Sequence, residues 1–476
     1  MKENQPKFRL IDVEFFERDV RLRMPFRFGI VTLTEAPQTY VRAHIRTADG
    51  REGWGMSAEL LAPKWFDKSP DQSNQDNFDQ LRRSLAVAAK TYCAESRFLS
   101  AFGLHVACAA TIASDAEAEN IPSLAAGFGP ALLDRAILDA LLRIENISLF
   151  EGARRNVFGL TDALTPDLAG FDLDGFLAKL HPSKKIAARH TVGLVDPIES
   201  SDQSEADRVG DGLPETLGEV IRDYGVTYFK LKVGGDINAD LDRLTRIARV
   251  LDRLPDYKVT LDGNEQYNDV EGIRSLWTAI KQTPALNRLC ASTLFVEQPI
   301  SRAHAFDRDI TSLAKLVPVE IDESDGSIGA FPLARDLGYT GVSSKSCKGF
   351  YKSVLNCARC ANWNEGNEPG RYFMSAEDLT TQAGLSVQED LALATLIGCT
   401  HVERNGHHYV DGMSSVPKAE QQAFLKAHPD IYTESHGSVR LRITDGNISI
   451  GSLETAGYGS AVLPDIANLQ HCEYKT

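Results

Sequence analysis

The sequence predicts an α/β protein, a (β/α)8 barrel of the TIM type joined to an α+β capping domain. From about residue 188 onward, short apolar runs alternate with amphipathic helical segments, which is the pattern of βα units around a parallel sheet. Before that point, residues 1–65 contain the segments FRLIDVEFF and TYVRAHIRT, whose apolar side chains recur at every second position, as in a small antiparallel sheet. Residues 76–148 then show the apolar spacing of helices.

The barrel prediction rests on eight apolar runs, each short enough to be one strand. Eight such strands separated by helices are expected to close into a barrel. Asp236 is the expected N-cap of the helix that follows the second run. The runs are HTVGL, YFKLKV, KVTLD, TLFVEQ, VPVEID, GVSSKS, YFMSAED and THVER.

The expected domain boundaries follow the changes of pattern along the chain. Residues 1–165 should form the N-terminal part of the cap, residues 186–436 the barrel, and residues 437–476 a segment that returns to the cap. The segment VRLRITDGNISIG should be a hairpin that turns at Asp445-Gly446 and pairs with the N-terminal sheet.

Composition and charge exclude several classes of function. The 51 basic and 66 acidic residues give a net charge of -15, and such a surface repels phosphate backbones and anionic lipids. The N-terminal segment lacks the apolar core of a signal peptide, and the eight cysteines are scattered as reduced thiols usually are. We therefore expect a cytoplasmic protein with no nucleic-acid and no membrane partner.

Charged residues recur at the C-terminal ends of successive expected strands. Starting at Lys232, the gaps are 30, 35, 25, 23 and 32 residues, each about the length of one βα unit. Because the active site of a (β/α)8 barrel lies at that end of the strands, the recurrence predicts catalytic residues. The residues are Lys230 and Lys232, Asp262, Glu297, Asp322, Lys345 and Glu377.

Three of these residues are carboxylates on what we count as the third, fourth and fifth strands. Asp262, Glu297 and Asp322 would repel one another at neighbouring strand ends unless a cation neutralised them. A hard divalent ion suits oxygen ligands, and Mg2+ is the first choice, with Mn2+ as an alternative. Each carboxylate taken alone is better explained as a solvated strand end or an ion-pair partner.

The lysines suggest acid–base chemistry on both sides of this metal site. Lys230 and Lys232 lie two residues apart on their strand, so their side chains share one face and should both point to the barrel interior. Two adjacent ammonium groups near a metal disfavour the charged form, so Lys232 is the candidate general base. Lys345, on the sixth strand, would approach the substrate from the opposite side.

Together the segments FKLKVGG, LDGNEQ, FVEQP, EIDES and VSSKS resemble the enolase superfamily, in particular its muconate-lactonizing-enzyme-like branch within the mandelate racemase/muconate lactonizing enzyme family. The resemblance implies that Asp262, Glu297 and Asp322 bind Mg2+ and that Lys232 and Lys345 are the acid–base pair. Lys230 would bind the substrate carboxylate or tune Lys232. The implied reaction removes the proton α to a carboxylate and gives a metal-stabilised enolate.

The chain departs from the pattern of that branch in one loop, and it is longer than typical members, with insertions in the cap and early barrel. Lys348-Gly349-Phe350-Tyr351 stands where paired glycines are usual, so the loop that faces the substrate is expected to be remodelled. The resemblance implies that specificity comes partly from cap loops, here the segments MPFRFGIVTL and GMSAELLAPKW, where Arg27 and Lys64 are possible anion-binding residues. Glu377 and Asp378 are possible site residues on the seventh strand.

The preferred function is a racemase or epimerase acting on a small-molecule carboxylate, in a homo-oligomer. A syn-dehydratase similar to o-succinylbenzoate synthase, or a cycloisomerase, needs the same residues and stays open. Rivals from other classes are a metal-dependent aldolase or hydrolase and a non-catalytic barrel that acts as a binding protein. The lysines on both sides of the metal argue against the first, and the intact carboxylates and lysines argue against the second.

Overall fold

The computed structural model describes residues 5–28 and 31–475. Strands of three to 21 residues form the cap sheet, the barrel and a separate hairpin. They are β1 (Phe8–Phe28), β2 (Val31–Thr47), β3 (Glu52–Leu60), β4 (Lys185–Val192), β5 (Tyr228–Lys232), β6 (Lys258–Asp262), β7 (Thr293–Glu297), β8 (Val319–Ile321), β9 (Gly341–Ser344), β10 (Phe373–Ala376), β11 (His401–Glu403), β12 (Tyr432–Ser435), β13 (Ser438–Leu441), β14 (Asn447–Ser449) and β15 (Gln470–Cys472).

The helices pack against the cap sheet or around the barrel strands. They are α1 (Asn74–Ala94), α2 (Ala101–Ala118), α3 (Ser123–Ala126), α4 (Phe128–Glu145), α5 (Leu149–Arg154), α6 (Leu173–Ala178), α7 (Leu217–Tyr224), α8 (Ile237–Leu251), α9 (Val270–Gln282), α10 (Asn287–Ala291), α11 (Thr311–Ala314), α12 (Ala330–Asp336), α13 (Phe350–Asn364), α14 (Leu385–Leu396), α15 (Gly406–Tyr409) and α16 (Lys418–Ala427).

The cap combines an antiparallel sheet with helices on one side. The sheet order is β15-β1-β2-β3, and α4 lies directly against β3. Gly55 permits this close approach, because a Cβ atom there would lie 2.2 Å from the backbone nitrogen of Ala140. The first long helix, α1, is started by a capping box in which Ser73 and Asp76 bond each other's backbone N–H groups.

Eight parallel strands form the barrel in the order β11-β4-β5-β6-β7-β8-β9-β10. The two end strands, β10 and β11, lie side by side with Cα atoms within 8 Å of each other. Each of the eight strands falls within or overlaps one of the predicted apolar runs, and Asp236 caps α8 by accepting hydrogen bonds from Asn238 and Ala239. The predicted barrel and cap are confirmed.

The prediction that the C-terminal hairpin segment pairs with the N-terminal sheet was wrong. The turn at Asp445-Gly446 is present, with φ angles of 49° and 71°, as a type I′ turn requires. However, β14 pairs with β4 of the barrel, where Asn447 lies opposite Ala187. The start of β4 extends beyond β5, and β14 satisfies the backbone groups that would otherwise remain unpaired along that edge. Only β15 returns to the cap sheet, beside β1.

Within the described ranges, no helix has both the length and the apolarity needed to cross a lipid bilayer.

Candidate functional site

The six residues predicted to act in the site all lie at the C-terminal ends of barrel strands β5–β9. None of them is more than 6 % exposed. They are Lys230, Lys232, Asp262, Glu297, Asp322 and Lys345. Four of them, all except Asp262 and Glu297, border a cavity of about 40 Å³ beneath the cap, whose cap side is lined by Phe26, Leu33, Ala62 and Trp65.

The register of the sheet determines where along the barrel axis each of these residues lies. Lys232 is the ladder partner of Asp262, and Asp262 is the ladder partner of Glu297, so the three lie in one row across β5, β6 and β7. The row continues to Glu320 on β8, because Glu320 is the partner of Glu297. Asp322 therefore lies two residues further toward the mouth of the barrel.

Lys230 lies at the centre of the acidic cluster. Its Nζ is 2.7 Å from Glu297 Oε1 and 2.8 Å from Asp262 Oδ2. The same ammonium group lies 3.1 Å from Glu377 and 2.9 Å from Glu403. Burial by itself lowers the pKa of Lys230, but the surrounding carboxylates outweigh it and hold the pKa well above its usual value. Lys230 is therefore a fixed positive charge.

Lys232 and Lys345 lie on opposite sides of the carboxylate-bearing strands β6–β8. Lys232 Nζ is 2.5 Å from Asp262 Oδ2, its one carboxylate partner among the described residues. Lys345 Nζ is 2.7 Å from Asp322 Oδ1 and also contacts Glu377. Burial lowers the pKa of Lys345, yet Asp322 and Glu377 raise it well above the ordinary range.

The carboxylates fit a divalent cation in both chemistry and number. Glu297 Oε2 is buried and has no hydrogen-bond partner among the described residues. Burial, and after it the charges of Asp262 and Glu377, raise the pKa of Glu297 well above normal. A bound cation would stabilise the ionised form of this carboxylate, and Mg2+ prefers oxygen ligands.

The tightest carboxylate group differs from the predicted ligand set. Within the described part of the chain, Glu297, Glu320 and Glu377 are the one set of three with ligand oxygens within 4.8 Å of one another. Asp262 and Asp322 lie on either side and are paired with lysines. Glu297 belongs to both sets, which makes it the common element of any metal site here.

The fold is similar to those of several solved protein structures. A mandelate racemase/muconate lactonizing protein from Herpetosiphon aurantiacus matches with a TM-score of 0.57 at 16% identity, over 95% of this chain and 98% of that chain. An N-succinyl Arg/Lys racemase from Bacillus cereus ATCC 14579 matches with a TM-score of 0.58 at 16% identity, over 97% and 96%. A dipeptide epimerase from Cytophaga hutchinsonii, in complex with Mg and the dipeptide D-Ala-L-Val, matches with a TM-score of 0.55 at 16% identity, over 97% and 99%.

This chain has the fold of the enolase superfamily. The resemblance predicted from the strand-end motifs is thus confirmed at the level of the fold, across nearly the whole chain. No protein-family model and no curated protein sequence matches it.

Three charged residues inside this barrel were not predicted from the sequence. Arg189 donates to Glu377 at 3.0 Å, and Glu403 accepts from Lys230. Burial and then the charge of Glu377 raise the pKa of Glu320 to about 8. A signal existed for Glu320, because it lies two residues before Asp322 on the same strand and so shares its face.

Glu377 and Asp378 have different surroundings although they are adjacent. Glu377 contacts Lys230, Lys345 and Arg189, and these cations overcome the effect of burial and lower its pKa well below normal. Asp378 instead pairs with Arg404 and accepts from the backbone N–H of Asn405 at 3.0 Å. Asp378 thereby ties the end of β10 to the loop after β11.

The two cap residues suggested as anion-binding groups do not line the cavity. Lys64 Nζ donates to the carbonyls of Ser69 and Gln72 within its own loop. Arg27 is exposed at the end of β1, and Gly29-Ile30 of the segment MPFRFGIVTL lie outside the described residues. From the second cap segment it is Trp65 that reaches the site, with its ring 5.0 Å from Lys345 Nζ.

The remodelled loop after β9 places a second lysine beside Asp322. Lys348 Nζ is 2.8 Å from Asp322 Oδ1 and 2.7 Å from Ser343 Oγ. Burial raises the pKa of Asp322, but Lys345 and Lys348 lower it by more. Asp322 is therefore ionised and doubly paired.

Proposed function

We propose that this protein removes the proton α to the carboxylate of a small-molecule substrate, with Mg2+ bound among the barrel carboxylates, and that its reaction is a racemisation or epimerisation. The observation that carries the proposal is the placement of Lys232 and Lys345 on opposite sides of β6–β8. A substrate between two such lysines can lose a proton on one face and gain one on the other.

The contacts of each lysine suggest its role. Lys230 contacts four carboxylates and is held charged, so it orients acidic groups and does not exchange protons. Lys232 contacts a single carboxylate, that of Asp262, and lies at the C-terminal end of β5 on the border of the cavity. Lys232 is thus the proposed base on one face, and Lys345 the proposed acid on the other.

For the metal we propose Asp262, Glu297 and Asp322 as ligands, with Glu297 as the indispensable one. When bound, Mg2+ would draw electron density from the substrate carboxylate and make the α-proton more acidic. Lys348 pairs with Asp322 from the side of Ser343 and holds it in place. The side-chain oxygen of Gln298 accepts a hydrogen bond from the backbone N–H of Asp322 at 2.7 Å.

Admission of a substrate requires the cap to move, because the cavity of about 40 Å³ holds little more than a water molecule. Phe26, Leu33 and Trp65 cover the mouth of the barrel. We propose that these three side chains contact the non-reacting part of the substrate after closure, and that this part is largely apolar.

A second reaction, one-base syn-dehydration or cycloisomerisation, is favoured by one observation. Lys345 is paired with two carboxylates and its pKa is raised, so it is suited to act as a permanent cation beside the forming enolate. Lys232 would then be the sole base.

The test of the proposal is proton exchange in D2O, followed by NMR. N-succinyl amino acids and dipeptides form the first panel, because two of the structural neighbours are described as acting on, or binding, such compounds. We expect Mg2+-dependent loss of the α-proton signal for at least one member of the panel. Failure of saturating Mg2+ to support exchange in any carboxylate of a broader panel would contradict the proposal.

A further inference from the structure

A second cavity, far larger than that at the barrel mouth, lies between the cap and the outside of the barrel. Its volume of about 740 Å³ falls in the range of small-molecule binding sites. Helices α2 and α4 form the cap side, and α13 with residues 326–328 forms the barrel side. Most of the wall is apolar, including Ile112, Ala113, Leu124, Ala131, Ile328 and Leu355.

One polar group in this wall is a histidine in a fixed orientation. His105 Nδ1 lies 2.8 Å from Asp134 Oδ2, and Tyr92 donates to the other oxygen of Asp134, also at 2.8 Å. These bonds leave His105 Nε2 without a hydrogen bond to any described residue, although the side chain is 22% exposed. The free ring nitrogen is therefore available to a ligand.

A second polar group lies beside it. Tyr351 also lines the cavity, with its ring 5.1 Å from that of His105. Its hydroxyl is buried and has no hydrogen-bond partner in the described part of the chain. Buried hydroxyl groups are almost always paired, so the Tyr351 hydroxyl is available to hydrogen-bond a ligand oxygen in this cavity.

The hydrogen-bond donors around the cavity favour an anion. Lys348 and Lys352 line the cavity but already pair with Asp322 and Asp325, and the lining Asp134 pairs with His105. The groups left to a ligand are His105 Nε2, which carries a proton when the ring is charged, and the Tyr351 hydroxyl. Both can donate to a carboxylate, whereas a charged His105 repels an ammonium group.

We propose that this cavity is a second ligand site, which binds a small carboxylic acid with an apolar body. The carboxylate bonds His105 Nε2 and the Tyr351 hydroxyl, and the hydrocarbon lies along the alanine-rich side of α2. The site is separate from the barrel mouth and requires no metal.

Titration calorimetry with octanoate, in buffer containing EDTA, tests the proposal. Ala113→Trp fills the cavity from an exposed position on α2, and Ala110→Trp is the matched control, since Ala110 is exposed on the same helix but does not line the cavity. We expect wild type and Ala110→Trp to bind octanoate alike, and Ala113→Trp to bind it at least tenfold more weakly. His105→Gln should weaken binding by about tenfold or more, because it removes a charge-assisted hydrogen bond. Octylamine should bind at least tenfold more weakly than octanoate.

Three outcomes would overturn the proposal. Undiminished octanoate binding by Ala113→Trp would place the ligand elsewhere, such as the barrel mouth. Wild-type protein that binds no octanoate at millimolar concentrations would exclude the site. Sedimentation velocity that shows a dimer abolished by Ala113→Trp would identify the same face as an interface between two copies of the chain.

Discussion

Lys232 and Asp262 are ladder partners on adjacent strands, and their side chains form an ion pair of 2.5 Å. The proposed base is thus held against a proposed metal ligand by the register of the sheet. A cation at Asp262 and the ammonium of Lys232 compete for the same carboxylate, which links metal binding to the state of the base.

The first prediction concerns Mg2+ affinity. Glu297→Gln should weaken Mg2+ binding at least tenfold, because it removes a carboxylate whose buried Oε2 has no hydrogen-bond partner among the described residues. Lys232→Met should tighten it, since Asp262 loses one of the two ammonium groups that compete with the metal for it. Calorimetric titration with Mg2+ measures both. Equal affinity in wild type and Glu297→Gln would show that the metal does not bind there.

The second prediction separates the two possible carboxylate sets. If the metal binds Asp262, Glu297 and Asp322, Asp322→Asn should weaken Mg2+ binding at least tenfold, while Glu320→Gln should leave it within about threefold. If Glu320→Gln loses Mg2+ affinity while Asp322→Asn changes it little, the metal binds instead to Glu297, Glu320 and Glu377.

The sequence was sufficient to predict which strands carry the charged residues, because parity and spacing are local properties of the chain. It was not sufficient to predict how far along the barrel axis each of these residues lies. Glu320, and not Asp322, lies level with Glu297, because the stagger between barrel strands depends on how the whole sheet closes. Likewise, the partner of β14 and the pairing of Lys348 with Asp322 depend on elements distant in sequence.

The third prediction is a loss of stability in mild acid. Burial lowers the pKa of His407 to about 4, and its neighbours His190 and His408 are also buried with lowered pKa values. The unfolded chain therefore binds more protons than the folded chain between about pH 6.5 and pH 4, so stability falls as the pH falls through this window.

Urea unfolding at several pH values checks this prediction. His407→Gln should reduce the slope of unfolding free energy against pH below pH 6 by up to about 1.4 kcal/mol per pH unit. His181→Gln, at an exposed position, is the control and should keep the wild-type slope. An unchanged slope in His407→Gln would mean that this residue is not held neutral.

The fourth prediction concerns the buried contact between cap and barrel. Arg135 is fully buried and pairs with Glu59 of the cap at 3.2 Å and with Glu389 of α14 at 2.8 Å. Arg135→Met should destabilise the protein by about 3–5 kcal/mol, because it leaves two buried carboxylates without a cation. Arg155→Met, in an exposed pair with Glu151, should change stability by less than about 1 kcal/mol. Chemical denaturation compares the two, and equal effects would contradict the assigned role of Arg135.

The central claim is that Lys232 and Lys345 serve opposite faces of one substrate, and enantiomer-resolved proton exchange in D2O tests it most directly. Each single alanine variant should lose exchange of the α-proton in one enantiomer and keep some exchange in the other. Interconversion of the enantiomers should fall by about a thousandfold in both variants, within the usual range for general acid–base catalysis. If Lys345→Ala instead leaves exchange and interconversion of both enantiomers intact, the two-base account is wrong.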